Sequence, residues 1–221
     1  MDKTQILSRV DHTLLKPTAT WAEIIALCDE AVLHRVASVC IPPSYVGRVV
    51  ERYGDALAVC TVIGFPLGYM TTEAKVAEAH AAVSAGAREV DMVINLGDVK
   101  NGDFDRVTDE IRAIKTAVGG NILKVIIETC YLTEDEKIKL CHCVTAGGAE
   151  YIKTSTGFGT DGATREDIML FRAHIGPQVK MKAAGGIRTV DDMVAFIELG
   201  CDRLGTSSAV KILAGEESAG Y

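Results

Sequence analysis

Short β-branched apolar segments alternate with longer helical stretches along the whole chain, and this alternation constrains the fold more than any single motif. The apolar segments are Val10–Leu14, Ser38–Pro42, Ala58–Phe65, Glu89–Asn95, Leu123–Thr129, Tyr151–Thr156, Val179–Ala184 and Arg203–Thr206. Between them lie stretches rich in Ala, Glu and Lys, with apolar residues at helical spacing. Thr20–Glu23 and Thr133–Glu136 fit the capping box that opens a helix, and Thr164–Asp167 and Thr189–Asp192 are the same device with Asp. Glycine-containing stretches at Gly86, Gly119-Gly120 and Gly147-Gly148 end helices, where a positive φ is often required. Strand–helix alternation with short connections implies parallel strands joined by right-handed crossovers. Eight such units predict an α/β fold, a single (β/α)8 TIM barrel, with a doubly wound open sheet as the structural alternative. The barrel is expected over residues 1–213. The tail 214–221 carries two glycines, two glutamates and no apolar periodicity, and is expected to be flexible.

Composition removes several classes of function. The 23 Lys+Arg against 30 Asp+Glu give a formal charge of −7, whereas a general nucleic-acid binder carries a basic excess. No apolar run reaches the ~20 residues of a membrane span, and the N-terminus has none of the features of a signal peptide. Seven cysteines are an odd number, with no C-x-x-C pair, which fits reduced thiols and a cytoplasmic protein. Cys141-His142-Cys143 matches no common zinc spacing, and the five histidines form neither H-x-H nor H-x3-H. No G-x-G-x-x-G or P-loop opens the first helix. Neither a metal nor an organic cofactor is expected.

In this fold chemistry sits at the C-terminal ends of the strands, and phosphate often binds after strands seven and eight. Gly185-Gly186 follows the seventh segment, Gly205-Thr206-Ser207-Ser208 the eighth, and Ser155–Gly159 the sixth. Paired glycines and helix N-termini favour an anion, so a phosphorylated substrate is expected. Charges also interrupt apolar strands: Lys153, Lys182 and Asp91. An unpaired buried charge is costly, so each needs a partner or a task. By the period-two rule Lys153 shares a face with Ser155, and Lys182 with Ala184. Lys180, nearer the strand start, reads as structural. Two ammonium groups ~5 Å apart on adjacent strands repel by roughly 3 kcal/mol at an effective dielectric of ~20. Such repulsion favours a neutral, nucleophilic amine able to form a Schiff base. Asp91 on the fourth strand could move protons in the same pocket.

With these residues in place, the sequence resembles the deoxyribose-phosphate aldolases nearly end to end. The resemblance is carried by Asp11–Lys16, Val39–Pro42, Glu89–Asn95, Lys124–Thr129, and above all by Lys-Thr-Ser-Thr-Gly-Phe at 153–158 and Lys-Ala-Ala-Gly-Gly-Ile-Arg at 182–188. It implies a metal-independent Schiff-base aldolase. That enzyme cleaves 2-deoxy-D-ribose 5-phosphate reversibly to D-glyceraldehyde 3-phosphate and acetaldehyde. It implies Lys153 as the Schiff-base lysine, Lys182 as the second lysine perturbing it, and Asp91 as the acidic member of a proton relay. Gly185, Gly186, Ser207 and Ser208 would hold the phosphate, with backbone from Gly157, and Asp11 and Thr13 would face the substrate from the first strand. It also implies a homo-oligomer whose only other partners are small sugars and aldehydes. Cys40 reads either as a thiol near the pocket, open to aldehyde products, or as a small core residue. Tyr221 reads either as a frayed end or as a phenol shuttling a proton to the enamine carbon. The rival functions are a phosphosugar isomerase, with Glu128 as its base, and a non-catalytic phosphosugar-binding module.

Overall fold

Five of the outer helices begin where a threonine side chain takes up a free backbone N–H. In the computed structural model, which describes residues 1–215, the elements run α1 (Lys3–Leu7), β1 (Val10–Thr13), α2 (Trp21–His34), β2 (Ser38–Ile41), α3 (Val46–Tyr53), β3 (Val59–Ile63), α4 (Thr72–Ser84), β4 (Glu89–Val93), α5 (Leu96–Asn101), α6 (Phe104–Val118), β5 (Ile122–Ile126), α7 (Glu134–Gly147), β6 (Tyr151–Lys153), α8 (Arg165–His174), β7 (Lys180–Ala184), α9 (Val190–Glu198), β8 (Arg203–Thr206) and α10 (Ala209–Ala214). Thr20, Thr133, Thr164 and Thr189 each accept from the N–H three residues on, as the sequence predicts, and Thr71 does the same for α4. At Thr20, Thr133 and Thr189 the acidic partner bonds back to the cap, completing the box.

Each strand pairs in parallel with the next, and β8 closes on β1. The closed (β/α)8 barrel is therefore present and the open-sheet alternative is not. The apolar core lies between the outer faces of the strands and the helices, with Val90, Met92, Leu123, Val125, Ile152, Ala183 and Leu204 among its members. α10 runs through Ala214, one residue past the predicted barrel boundary. Residues 216–221, and with them the expectation placed on Tyr221, lie outside the described residues.

The strands stop earlier than their apolar segments suggest. β4 ends at Val93 rather than Asn95, β5 at Ile126 rather than Thr129, and β6 at Lys153 rather than Thr156. The residues beyond have other bonds to make. The Asn95 side chain accepts from the Gly97 N–H at 3.0 Å. Glu128 takes up the left-handed region at φ 54°. Thr154 Oγ1 donates to the Ala184 carbonyl at 3.0 Å. These curling strand ends form the rim on which the loops stand.

Inside the barrel the alternation of side chains divides the space. On the β2–β3 side Leu15, Cys40, Cys60 and Val62 form a small apolar cluster with Phe65 against it. On the side of β4 to β8 and β1 the interior is charged. Branched apolar residues are the usual filling of such barrels, so this charged half marks where the chemistry lies.

Candidate active site

The register brings the predicted residues together. Lys153 and Lys182 are direct partners across β6 and β7, and Asp91 pairs with Lys124 across β4 and β5. Long lysine side chains then reach across the interior to one carboxylate. Asp91 Oδ2 accepts from Lys153 Nζ at 2.7 Å and from Lys182 Nζ at 2.8 Å, while Oδ1 accepts from Lys124 Nζ at 2.8 Å. The bare lysine pair inferred from strand spacing is thus corrected: the Asp91 carboxylate lies between the two ammonium groups, and a third lysine completes the set.

The network extends further. Lys182 Nζ is 2.5 Å from Asp11, and Lys124 Nζ is 2.6 Å from Glu89 and 3.5 Å from Asp11. The Arg203 guanidinium forks onto Glu89 at 2.9 and 3.1 Å and also bonds Asp11. Burial pushes the Asp91 carboxyl up, but Lys124, Lys153 and Lys182 outweigh it and hold the group well below the usual carboxylate range. Asp11 is likewise lifted by burial and held low overall by Lys182, Lys124 and Arg203. Lys182 is pulled down by burial and held above its ordinary value by Asp11 and Asp91.

Counting these charges singles out one lysine. Among the described residues four cations (Lys124, Lys153, Lys182, Arg203) face three carboxylates (Asp11, Glu89, Asp91), an excess of one positive charge in a buried space. Lys124 touches three carboxylates, and Lys182 and Arg203 two each, but Lys153 touches Asp91 alone among the described residues. Lys153 is also the one of the four that lines the cavity above. Loss of its proton would leave the interior balanced and put a free amine where a carbonyl can enter.

That cavity, of about 240 Å³, is lined by Thr13, Leu15, Lys153, Thr156, Gly157, Gly185, Gly186, Arg188, Thr206, Ser207 and Ser208, with others. The predicted anion-binding residues therefore converge beside the predicted nucleophile. Gly157, Gly185 and Gly186 have φ of 86°, 78° and 72°, a region L side chains rarely adopt. The backbone can thus turn tightly where an anion would approach. Thr13 lines the cavity, but Asp11 does not: its side chain is spent on Lys182, Lys124 and Arg203 below. The expectation that Asp11 faces substrate is corrected accordingly, since it lies one layer deeper in the barrel. Glu128 is turned away as well. Its Oε1 accepts from the Thr156 N–H at 3.1 Å and its Oε2 from the Thr156 hydroxyl, and burial pushes its carboxyl up. It is absent from the cavity lining, so the base named for the isomerase reading is not at the cavity.

Sequence reasoning missed Lys124, Glu89 and Arg203, although period two gives a signal: each sits at the inward phase of its strand. It also missed Arg188, a cation on the cavity wall, and Gly162. A Cβ on Gly162 would stand 2.3 Å from the Gly185 carbonyl carbon and 2.8 Å from the Gly186 N. Both are backbone, so the Gly185-Gly186 turn would have to move. Gly162→Ala is expected to raise KM for a phosphorylated substrate by about tenfold or more, the scale of one lost charge-assisted hydrogen bond. Steady-state kinetics would check it, and an unchanged KM would separate the turn from anion binding.

Comparison with known proteins adds relatives to this geometry. Residues 4–212 match the family model described as DeoC/LacD family aldolase. A deoxyribose-phosphate aldolase from Clostridium botulinum strain Alaska E43 is 62% identical over 221 residues, covering 100% of both chains. One from Clostridioides difficile strain 630 is 59% identical over 216 residues, covering 98% of this chain and 99% of that one. The solved deoxyribose phosphate aldolase from Aeropyrum pernix, described as a unique tetrameric structure, superposes with a TM-score of 0.88 at 31% identity, covering 97% and 92% of the two chains.

Proposed function

The chain belongs to the DeoC/LacD aldolase family, and from that premise we propose that Lys153 is the lysine that binds substrate covalently. The reaction is the class I aldol cleavage of 2-deoxy-D-ribose 5-phosphate to D-glyceraldehyde 3-phosphate and acetaldehyde, and its reverse. The observation that carries the assignment is the charge count: Lys153 is the least neutralised cation of the network and the one at the cavity.

The residues then divide the work. The neutral Lys153 amine attacks C1 of the open-chain sugar, and loss of water leaves an iminium. The C3 hydroxyl gives up its proton, the C2–C3 bond breaks, and the electron pair comes to rest in an enamine. D-glyceraldehyde 3-phosphate departs. The enamine carbon takes a proton, water hydrolyses the iminium, and acetaldehyde leaves with Lys153 restored. The iminium is cationic, so Asp91, 2.7 Å from Lys153 Nζ, stabilises it. A carboxylate held so low by three ammonium groups is a poor proton acceptor. Asp91 and Lys182 are therefore assigned the holding of charge, and the C3 proton leaves through water in the cavity. Gly157, Gly185, Gly186, Ser207 and Ser208 take the phosphate, with Arg188 supplying a positive charge. Binding there orients carbons remote from the phosphate.

Borohydride reduction in the presence of acetaldehyde tests the assignment directly. A stable ethyl group on Lys153, found by peptide mass mapping, is the expected result, and an adduct on any other lysine overturns it. Deoxyribose without its phosphate is expected to lose two to four orders of magnitude in kcat/KM, since each charge-assisted hydrogen bond contributes ~1.5–3 kcal/mol. Equal kcat/KM for the two sugars would remove the phosphate site.

A homo-oligomer is part of the same reading, supported by the tetrameric relative. A monomeric mass by light scattering would count against it. No helix among the described residues is long and apolar enough to cross a membrane. All seven cysteines are free, which supports a reducing, cytoplasmic setting.

A further inference from the structure

The apolar half of the barrel interior holds two cysteines that the aldol chemistry does not use. Cys40 and Cys60 are register partners on β2 and β3. Both are buried and belong to the same interior cluster. Their sulfur atoms and an Asp91 carboxylate oxygen all lie within 4.8 Å of one another. Cys60 Sγ is 3.1 Å from Asp91 Oδ1 and accepts from Lys124 Nζ at 3.2 Å. Leu15 belongs to that cluster and also lines the cavity, so the pair stands one side chain behind the cavity wall.

Two thiols and a carboxylate could suggest a metal site. The charge around them opposes it, because three ammonium groups already surround Asp91 and would repel a cation placed there. Lys182 and Lys153 favour the thiolate at Cys40, and a thiolate beside a second thiol is set up for oxidation. We propose that Cys40 and Cys60 form a disulfide on exposure to hydrogen peroxide or a similar small hydroperoxide, and that this bond lowers activity by taking Cys60 away from Asp91.

The geometry permits the bond. Neighbouring strands stand ~4.8 Å apart, inside the ~4.4–6.8 Å Cα separation that disulfides span, and register partners point to the same side of the sheet. The two thiols are also unequal. The neighbouring Cys60 pulls the Cys40 thiol below its ordinary value, against the effects of burial and Asp91, with Lys182 and Lys153 adding to the pull. Burial pushes the Cys60 thiol well up, and the neighbouring Cys40 and Asp91 add to this. Cys40 is thus the attacking thiol and Cys60 the resolving one.

The steps balance. Cys40 gives its proton to water, its thiolate attacks one peroxide oxygen, the O–O bond breaks, and a sulfenic acid and a hydroxide result. That hydroxide takes up the released proton and becomes the first water. Cys60 sulfur then attacks the Cys40 sulfur and displaces hydroxide, and the Cys60 proton converts hydroxide to water. Two thiols have been oxidised by two electrons and one peroxide reduced to two waters. Asp91 thereby loses the S–H donor on Oδ1, and Cys60 is drawn towards β2. Asp91 holds both Lys153 and Lys182, so the change reaches the nucleophile through it. A loss of about tenfold in kcat is expected, the scale of one hydrogen bond to a charged group. A dithiol reductant should restore it.

The test treats the full chain with hydrogen peroxide, quenches with an alkylating agent, and maps the peptides. Formation of the bond is read by mass alone, so it stands or falls independently of the Lys153 assignment. The expected result is a Cys40–Cys60 linked peptide, two hydrogens lighter than its parts, that accumulates as activity falls and disappears with reductant. Cys60→Ala should give no linked peptide and instead a Cys40 sulfenic acid trapped by dimedone. If that variant does not fold, the map of the wild-type protein decides on its own. A treated protein that loses activity without the linked peptide overturns the proposal, as does inactivation that tracks the more exposed Cys130. A linked peptide that leaves activity unchanged overturns the switching role.

Discussion

Lys153→Ala is expected to reduce kcat/KM for 2-deoxy-D-ribose 5-phosphate by ~10⁴-fold or more, the scale on which loss of a covalent nucleophile is felt, while the fold stays intact. The fold should survive for an electrostatic reason. With Lys153 ionised the interior carries four cations and three carboxylates, and removing it leaves three of each. Asp91 keeps Lys124 at 2.8 Å and Lys182 at 2.8 Å. The vacated space opens on the cavity, so water can fill it and no sealed void remains. The melting temperature should lie within ~3 °C of the wild-type value or above it, since ~1 kcal/mol moves a chain of this size by about 2–4 °C. Borohydride with acetaldehyde should leave the variant unlabelled. Retained turnover would remove the covalent mechanism. A large fall in melting temperature would refute the charge count, because Lys153 would then be a structural cation.

The barrel was legible because its rules are local. A capping threonine announces α2, α7, α8 and α9, and β-branched runs mark each strand, so eight units could be read without any long-range information. The strand ends were not legible. Nothing in Thr-Ser-Thr after Lys153 says that Thr154 will bond sideways to the Ala184 carbonyl. At the site, Lys153, Lys182 and the glycine turns stood out as charges or small residues in apolar surroundings. Their meaning changed in the structure. Strand spacing alone makes Lys153 and Lys182 repel. The partner that reconciles them comes from β4, two strands from Lys153 around the barrel, and distance across a barrel cannot be read from sequence spacing. Asp11 shows the same limit. It shares a motif with Thr13, and both face inward, but two residues along a strand separate the charge layer from the cavity.

The layer itself predicts the second large effect. Asp91→Asn preserves size but removes the carboxylate that, alone among the described residues, touches Lys153, Lys124 and Lys182 together. Four cations would then face two carboxylates. Breaking a buried ion pair from one side destabilises by ~3–5 kcal/mol, which for a chain of this size corresponds to a fall of roughly 10 °C in melting temperature. Activity should fall by ~10²–10³-fold, the scale of removing one group that stabilises charge in the transition state. If the Asn protein does not fold, Asp91→Glu keeps the charge and should fold with a smaller loss of rate. The sign of the pH dependence separates this account from simple loss of packing. Asp91 and Asp11 are held below their ordinary values in the folded state. Their contribution to stability is therefore complete above about pH 4 and lost as pH falls towards the folded values. Lys182 is held above its ordinary value, so its contribution is complete below about pH 10 and lost only as pH rises further. Between those limits these three groups add no pH dependence to the melting temperature. Below about pH 4 it should lose stability more steeply than Asp91→Asn, which has already given up the Asp91 share. Thermal melts from acid to neutral pH would show the two curves converging. Parallel curves would mean that the Asp91 charge contributes nothing to the fold, and that the lysines around it are held by other means.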